Sequence, residues 1–122
     1  MVAGGSPDRR PRGLALWADL TGLTIGQPQT PLDEAAIDFV GAEVWARPGL
    51  TRKERRWITL TCAAVTGRAG PLRYHLRAAL RTGDITLDEL REFVLHLAVY
   101  AGWPTASEAG SLVTEVADEL RR

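Results

Sequence analysis

From Thr30 onward the apolar residues keep a helical rhythm, and nowhere do they alternate in twos for long enough to make a strand. Thr30-Pro31 has the form of an N-cap followed by proline at the first helical position. Leu32, Ala35, Ala36, Phe39, Val40 and Val44 then share a face until Arg47-Pro48-Gly49 ends the run. Thr51 to Glu54 has the pattern of a capping box, in which a threonine hydroxyl and a glutamate satisfy amides of the first turn. Behind it Ile58, Cys62 and Val65 fall near one face, widened by Trp57 and Leu60, as far as Gly67. Pro71 to Thr82 makes a further run, with Leu72, His75, Leu76, Ala79 and Leu80 on one side and Gly83 suited to a left-handed cap. A second capping box, Thr86 to Glu89, opens a helix whose apolar face is Leu90, Phe93, Val94, Leu97 and Ala101, stopped by Gly102-Trp103-Pro104. A third, Thr105 to Glu108, introduces Ala109, Leu112, Val113, Val116 and Leu120.

The pattern predicts an all-α protein, a compact bundle of about five to six helices. Ahead of Thr30 the picture is thinner. Met1 to Gly13 offers almost nothing to bury and reads as a disordered arm; Leu14 to Leu20 is a candidate short helix, and Gly22 to Pro31 carries the glycines and prolines of a loop. The expected organisation is an arm over 1–13 and a single helical domain over 14–122.

With 122 residues, 45% hydrophobic and 25% charged, the chain falls in the globular class. Fifteen basic residues balance fifteen acidic ones, so no overall field steers it to nucleic acid or anionic lipid. No apolar run follows Arg9 and Arg10 as a signal peptide requires, and no stretch approaches the ~20 apolar residues of a membrane span. The expected location is the cytoplasm, with neither membrane nor nucleic acid as partner. Cys62, the only cysteine, cannot form an intrachain disulfide and reads as a small core residue among Leu60, Ala63 and Val65.

His75 stands on an inward face between Leu72 and Leu76, where an imidazole either finds a hydrogen-bond partner as a core residue or lines a cavity. Glu89, Glu92, His96 and Tyr100 recur at spacings of three and four. They form either an ordinary solvated edge or a stripe in which a carboxylate one turn from an imidazole supports proton transfer. Arg47, Arg73 and Arg77 offer planar forks that match carboxylates, whereas Arg52 to Arg56 reads as a charged first turn. Two histidines and one cysteine at no ligand spacing argue against a metal site, and no phosphate loop or nucleophile elbow is present.

Four blocks, 44–56 (VWARPGLTRKERR), 72–80 (LRYHLRAAL), 86–92 (TLDELRE) and 98–104 (AVYAGWP), resemble in order and spacing the carboxymuconolactone decarboxylase family. The likeness covers about Ile37 to Leu120. It implies an alkylhydroperoxidase D-like helical fold that assembles into trimers or hexamers, with the active pocket near subunit contacts. One branch of that family works through a Cys-x-x-Cys-x-x-x-His motif. With His75 as the histidine, the cysteine positions fall on Arg68 and Pro71, so the dithiol chemistry of a peroxidase has no seat here.

The resemblance therefore implies the other, cofactor-free branch, which removes carboxylate from an unsaturated lactone to give the enol-lactone of 3-oxoadipate in aromatic catabolism. On that reading His75 donates the proton and Glu92 and His96 complete a relay. Arg47, with Arg77 as second choice, grips a substrate carboxylate, and Tyr100 and Trp45 line the pocket; no metal or cofactor is implied. The segment before Thr30 and Trp103, where a smaller residue is common, depart from the family pattern. They keep open a biosynthetic relative acting on another acidic metabolite, or a non-catalytic oligomeric binding protein.

Overall fold

The computed structural model describes residues 8–122. Among them are six helical elements and no strand: α1 (Arg9–Thr21), α2 (Pro31–Ala35, continuing as a π-helix over Ala36–Trp45), α3 (Arg52–Val65), α4 (Ala69–Thr82), α5 (Leu87–Ala101) and α6 (Trp103–Arg121). Their contacts gather into two compact units, where the sequence suggests one domain; the first ends at Thr51 and the second runs from Arg52 to Arg122.

In the first unit α1 begins at Arg9, five residues ahead of the apolar pattern. The expected arm is thus helical over Arg9 to Gly13, while its residues 1–7 lie outside the described part. What extends the helix is polar anchoring. Arg10 Nε and Nη2 make a fork on the Asp38 carboxylate at 2.6 and 2.8 Å, and Arg9 Nε donates to the Asp38 carbonyl at 3.1 Å. Arg12 Nη1 donates to the Ala42 carbonyl at 3.1 Å, and Trp17 Nε1 to the Ala36 carbonyl at 2.8 Å.

All these acceptors lie in the ten-residue π-helix. Its wider turn, bonded five residues apart, breaks the 3.6-residue register. The buried positions are accordingly Ile37, Gly41 and Ala42, rather than the Leu32-to-Val44 stripe read from the sequence, and Phe39 is 55% exposed. Thr30 does cap α2, accepting from Asp33 N, with Pro31 in the first turn.

The second unit follows its caps closely. Thr86 and Glu89 form the expected capping box at the start of α5, and Gly83 closes α4 at φ 78°. Gly102, at φ 99°, separates α5 from α6; the latter begins at Trp103 with Pro104 in its first turn, ahead of the expected Thr105 box. Packed between the helices are Leu60, Leu72, Leu76, Ala79, Ile85, Leu90, Leu97, Ala109, Val113 and Val116.

On α3 the buried face is Arg56, Leu60, Ala63 and Ala64. Ile58, Cys62 and Val65, expected inward, form instead an exposed stripe on the opposite side, and Cys62 is a free, exposed thiol. Among the described residues no helix is long and apolar enough to cross a membrane.

Candidate active site

The α4 face that meets the core is made by Leu72, Leu76 and Ala79, and His75 sits at its flank, half-buried. Its ring meets Tyr74 edge-on, with centroids 5.2 Å apart. It has no hydrogen-bond partner among the described residues, so the ring is not the satisfied core histidine of one sequence reading. Burial, and secondarily the positive charge of Arg56, push its pKa down from the ordinary value to about 4. At neutral pH the imidazole is therefore uncharged.

Arg56 is the residue that sequence reasoning missed. Counted there as part of a charged first turn, it is only 2% exposed. Its Nε donates to Asp84 Oδ2 at 2.9 Å, and its Nη2 reaches Thr82 Oγ1 at 3.4 Å. The available signal was its spacing: Arg56 precedes Leu60 by four and Ala63 by seven, which puts it on the buried stripe. A run of charges hid that register.

Glu89, Glu92 and His96 come together elsewhere in the second unit. With Trp57, Thr61 and Phe93 they line an open groove of about 510 Å³ between α3 and α5, and His75 does not line it. Trp57 and Phe93 lie 5.5 Å apart, while Lys53 Nζ donates to Glu89 and, with the Thr86 amide, holds that carboxyl below its usual range. His96 lies 4.9 Å from the Tyr100 ring, which is 80% exposed.

The arginines fall differently from the expectation. Arg77 Nη2 donates to Glu119 Oε2 at 2.9 Å, and Arg73 bridges Glu115 and Glu119, so both cross-link α4 to α6. Arg77 is thereby committed to a protein carboxylate. Trp45, half-buried 6.4 Å from Trp17, and Arg47, exposed just beyond the π-helix, belong to the first unit.

These helices, with a half-buried imidazole on α4 and a buried, clamped arginine on α3, define an all-α protein whose candidate chemistry is proton handling, and the chain belongs to the carboxymuconolactone decarboxylase family, whose model matches residues 31–115. It is 43% identical over 82 residues to a 4-carboxymuconolactone decarboxylase of Acinetobacter baylyi, an alignment covering 67% of this chain and 60% of that protein. It is also similar to a nitrosuccinic acid decarboxylase of Metarhizium robertsii, at 41% identity over 81 residues, covering 65% and 54% of the two chains. The chain thus spans little more than half the length of these relatives.

Proposed function

We propose that the protein is a cofactor-free carbon–carbon lyase that decarboxylates a small carboxylated substrate and acts as a homo-oligomer. A carboxylated unsaturated lactone is the first candidate. The two relatives are named for decarboxylation of different acids, 4-carboxymuconolactone and nitrosuccinic acid. In both compounds the carbon that loses carboxylate can pass its electron pair to an electron-withdrawing group. The class supported is therefore a polyanionic acid with such a group beside the scissile bond, which includes the lactone without being restricted to it.

What carries the reading is His75, half-buried, packed edge-on against Tyr74 and without a hydrogen-bond partner among the described residues, its pKa pushed down to about 4 by burial and secondarily by the charge of Arg56. Loss of CO₂ breaks the bond to the carboxyl carbon and leaves its electron pair on the adjoining carbon, where conjugation spreads it. A proton must then add to that carbon. Carboxylates arriving beside the imidazole favour its charged form, so the ring takes a proton from solvent as substrate binds and delivers it to the carbanion. Partial burial strengthens these interactions by excluding water.

Incubation with 4-carboxymuconolactone, and separately with nitrosuccinate, is expected to release one CO₂ per substrate consumed with at least one of them. His75→Ala should lower that rate by roughly 10²- to 10⁴-fold, the usual worth of a positioned acid. Absence of turnover with both acids, beside an active control enzyme, would remove the proposal, and a full rate in His75→Ala would remove the residue. The expected grip of Arg47 is read separately: Arg47→Ala should raise KM with little change in kcat.

A further inference from the structure

The C-terminal end of α3, the start of α4 and the first half of α6 leave a cavity of about 300 Å³ between them. That is the low end of the usual size of small-molecule sites, about 300–1,000 Å³. Its floor is apolar: Ala64, Leu72 and Ala109 are 7%, 4% and 1% exposed. His75 does not line it.

Over this floor stand two charges of opposite sign, Arg68 from the turn before α4 and Glu108 from α6. They do not pair with each other, and neither has an ion pair or a side-chain hydrogen bond among the described residues. Other arginines of the same unit behave differently, for Arg56, Arg73, Arg77, Arg91 and Arg121 each hold a carboxylate. The hydroxyls show the same contrast. Thr59, Thr61, Thr66 and Thr82 turn theirs back onto carbonyls one helical turn earlier. Ser107 and Ser111, a turn apart on α6 and both in the cavity wall, leave theirs unbonded among the described residues.

The backbone under Arg68 is held from both sides. Gly67, at φ 70°, closes α3; its amide donates to the Ala64 carbonyl at 3.1 Å and the Arg68 amide to the Ala63 carbonyl at 2.9 Å, the paired bonds of a Schellman cap. Such a cap frequently sets an apolar residue where Arg68 stands, against the helix it ends. The Arg68 carbonyl in turn accepts from Leu72 N at 3.0 Å, which opens α4. A guanidinium on so fixed a stem gives up only side-chain freedom when it grips a ligand.

We propose that this cavity binds a small zwitterion with an apolar body, of the size of an amino acid: Arg68 takes the carboxylate, Glu108 the ammonium, and the alanine and leucine floor the carbon chain. A plain anion would face Glu108 and a plain amine would face Arg68, and like charges brought together weaken binding. An occupant of both signs answers both. Nothing nearer competes: the first turn of α4 has no acidic residue, and Arg73 is tied to Glu115 and Glu119. Ser107 and Ser111 supply hydroxyls that both donate and accept. Since His75 is absent from the wall, this occupant is distinct from the acid whose decarboxylation is proposed above.

The probes are leucine and 6-aminohexanoate, which carry the two charges at different separations, and the two halves of leucine, 4-methylpentanoate and 3-methylbutylamine. Titration into isotope-labelled protein, followed by NMR, reads both affinity and place. At least one zwitterion should bind about tenfold tighter than either half, and the amides of Ala64, Arg68 and Ala109 should move. Arg68→Ala and Glu108→Gln should each weaken that zwitterion by about tenfold. The halves should divide: 3-methylbutylamine binds Arg68→Ala no worse than wild type, and 4-methylpentanoate binds Glu108→Gln no worse. Both side chains are exposed and outside the core, so the variants keep the fold. No binding of either zwitterion at millimolar concentration overturns the proposal. So does a half that binds as tightly as the zwitterions, or a set of moving amides away from this cavity. The titrations involve no turnover, so failure of the decarboxylase assay leaves this site standing, and loss of the site leaves the proposed reaction standing.

Discussion

In the unfolded chain the His75 imidazole takes up a proton below about pH 6.5, whereas in the folded protein burial and the Arg56 charge hold it off until about pH 4. Between those values the unfolded state binds more protons, so acid draws the equilibrium towards unfolding. The contribution is present in full above about pH 6.5, shrinks as the pH falls, and is gone below about pH 4; the shift corresponds to about 3 kcal/mol at most. Urea unfolding of wild type and His75→Gln at pH 7.0 and 4.5 should show the wild type losing more stability between the two. Parallel losses would mean that the folded ring titrates like a free one. Ion-paired carboxylates such as Asp38 and Glu119, whose pKa values are lowered by Arg10 and Arg77, also weaken the fold in acid, but they are common to both proteins and cancel in the comparison.

At the level of elements, the sequence was legible at several boundaries that had their own chemistry, though the Thr105–Glu108 pattern does not cap α6, which begins at Trp103. Thr30, the Thr86–Glu89 box, Gly83 and Gly102 each fix an end through local hydrogen bonds or a left-handed backbone, and none needs a distant partner. Illegible were the features set by packing between elements. The start of α1 depends on Asp38, about thirty residues away, and the inward face of the second helix depends on a π-turn register that a 3.6-residue template cannot represent. On α3 the template chose the more apolar stripe, Ile58, Cys62 and Val65, although the stripe that packs inward contains a paired arginine.

The same packing explains two glycines. A Cβ at Gly13 would lie 2.1 Å from the Ile37 carbonyl oxygen, and one at Gly41 would lie 2.7 Å from Trp17 Nε1. Gly13→Ala should therefore destabilise the first unit by about 1–3 kcal/mol, the usual cost of overpacking against backbone. Gly26→Ala, which meets nothing within 4 Å, should be neutral or slightly stabilising. Denaturation followed by Trp fluorescence reads both, since Trp17 and Trp45 report on this unit. Equal stability of the two variants would mean that α1 does not rest on the π-helix as described.

Across the whole chain, the family was readable because the four blocks fall largely within residues 31–115, the stretch that the family model matches. The candidate site was readable only in part: His75 was visible as a polar residue on an apolar face, but the burial of Arg56 was not, and Glu92 and His96 share a groove that His75 does not line. The same surface bears on the proposed assembly. Val99, Tyr100 and Trp103 are 72%, 80% and 74% exposed, next to the exposed Leu95, which is a large apolar crest for a chain of this size. Left in water, such a crest favours association, and a second copy would remove it from solvent at no cost in internal packing. Light scattering on the eluting protein should give three or six times the chain mass. Val99→Glu combined with Trp103→Glu should shift it towards a single chain with helical circular dichroism intact, because neither side chain belongs to the core and surface changes of this kind leave a fold standing. A wild-type protein that elutes at one chain mass at tens of micromolar would remove the homo-oligomer. A double variant that stays trimeric or hexameric would move the contact to another face.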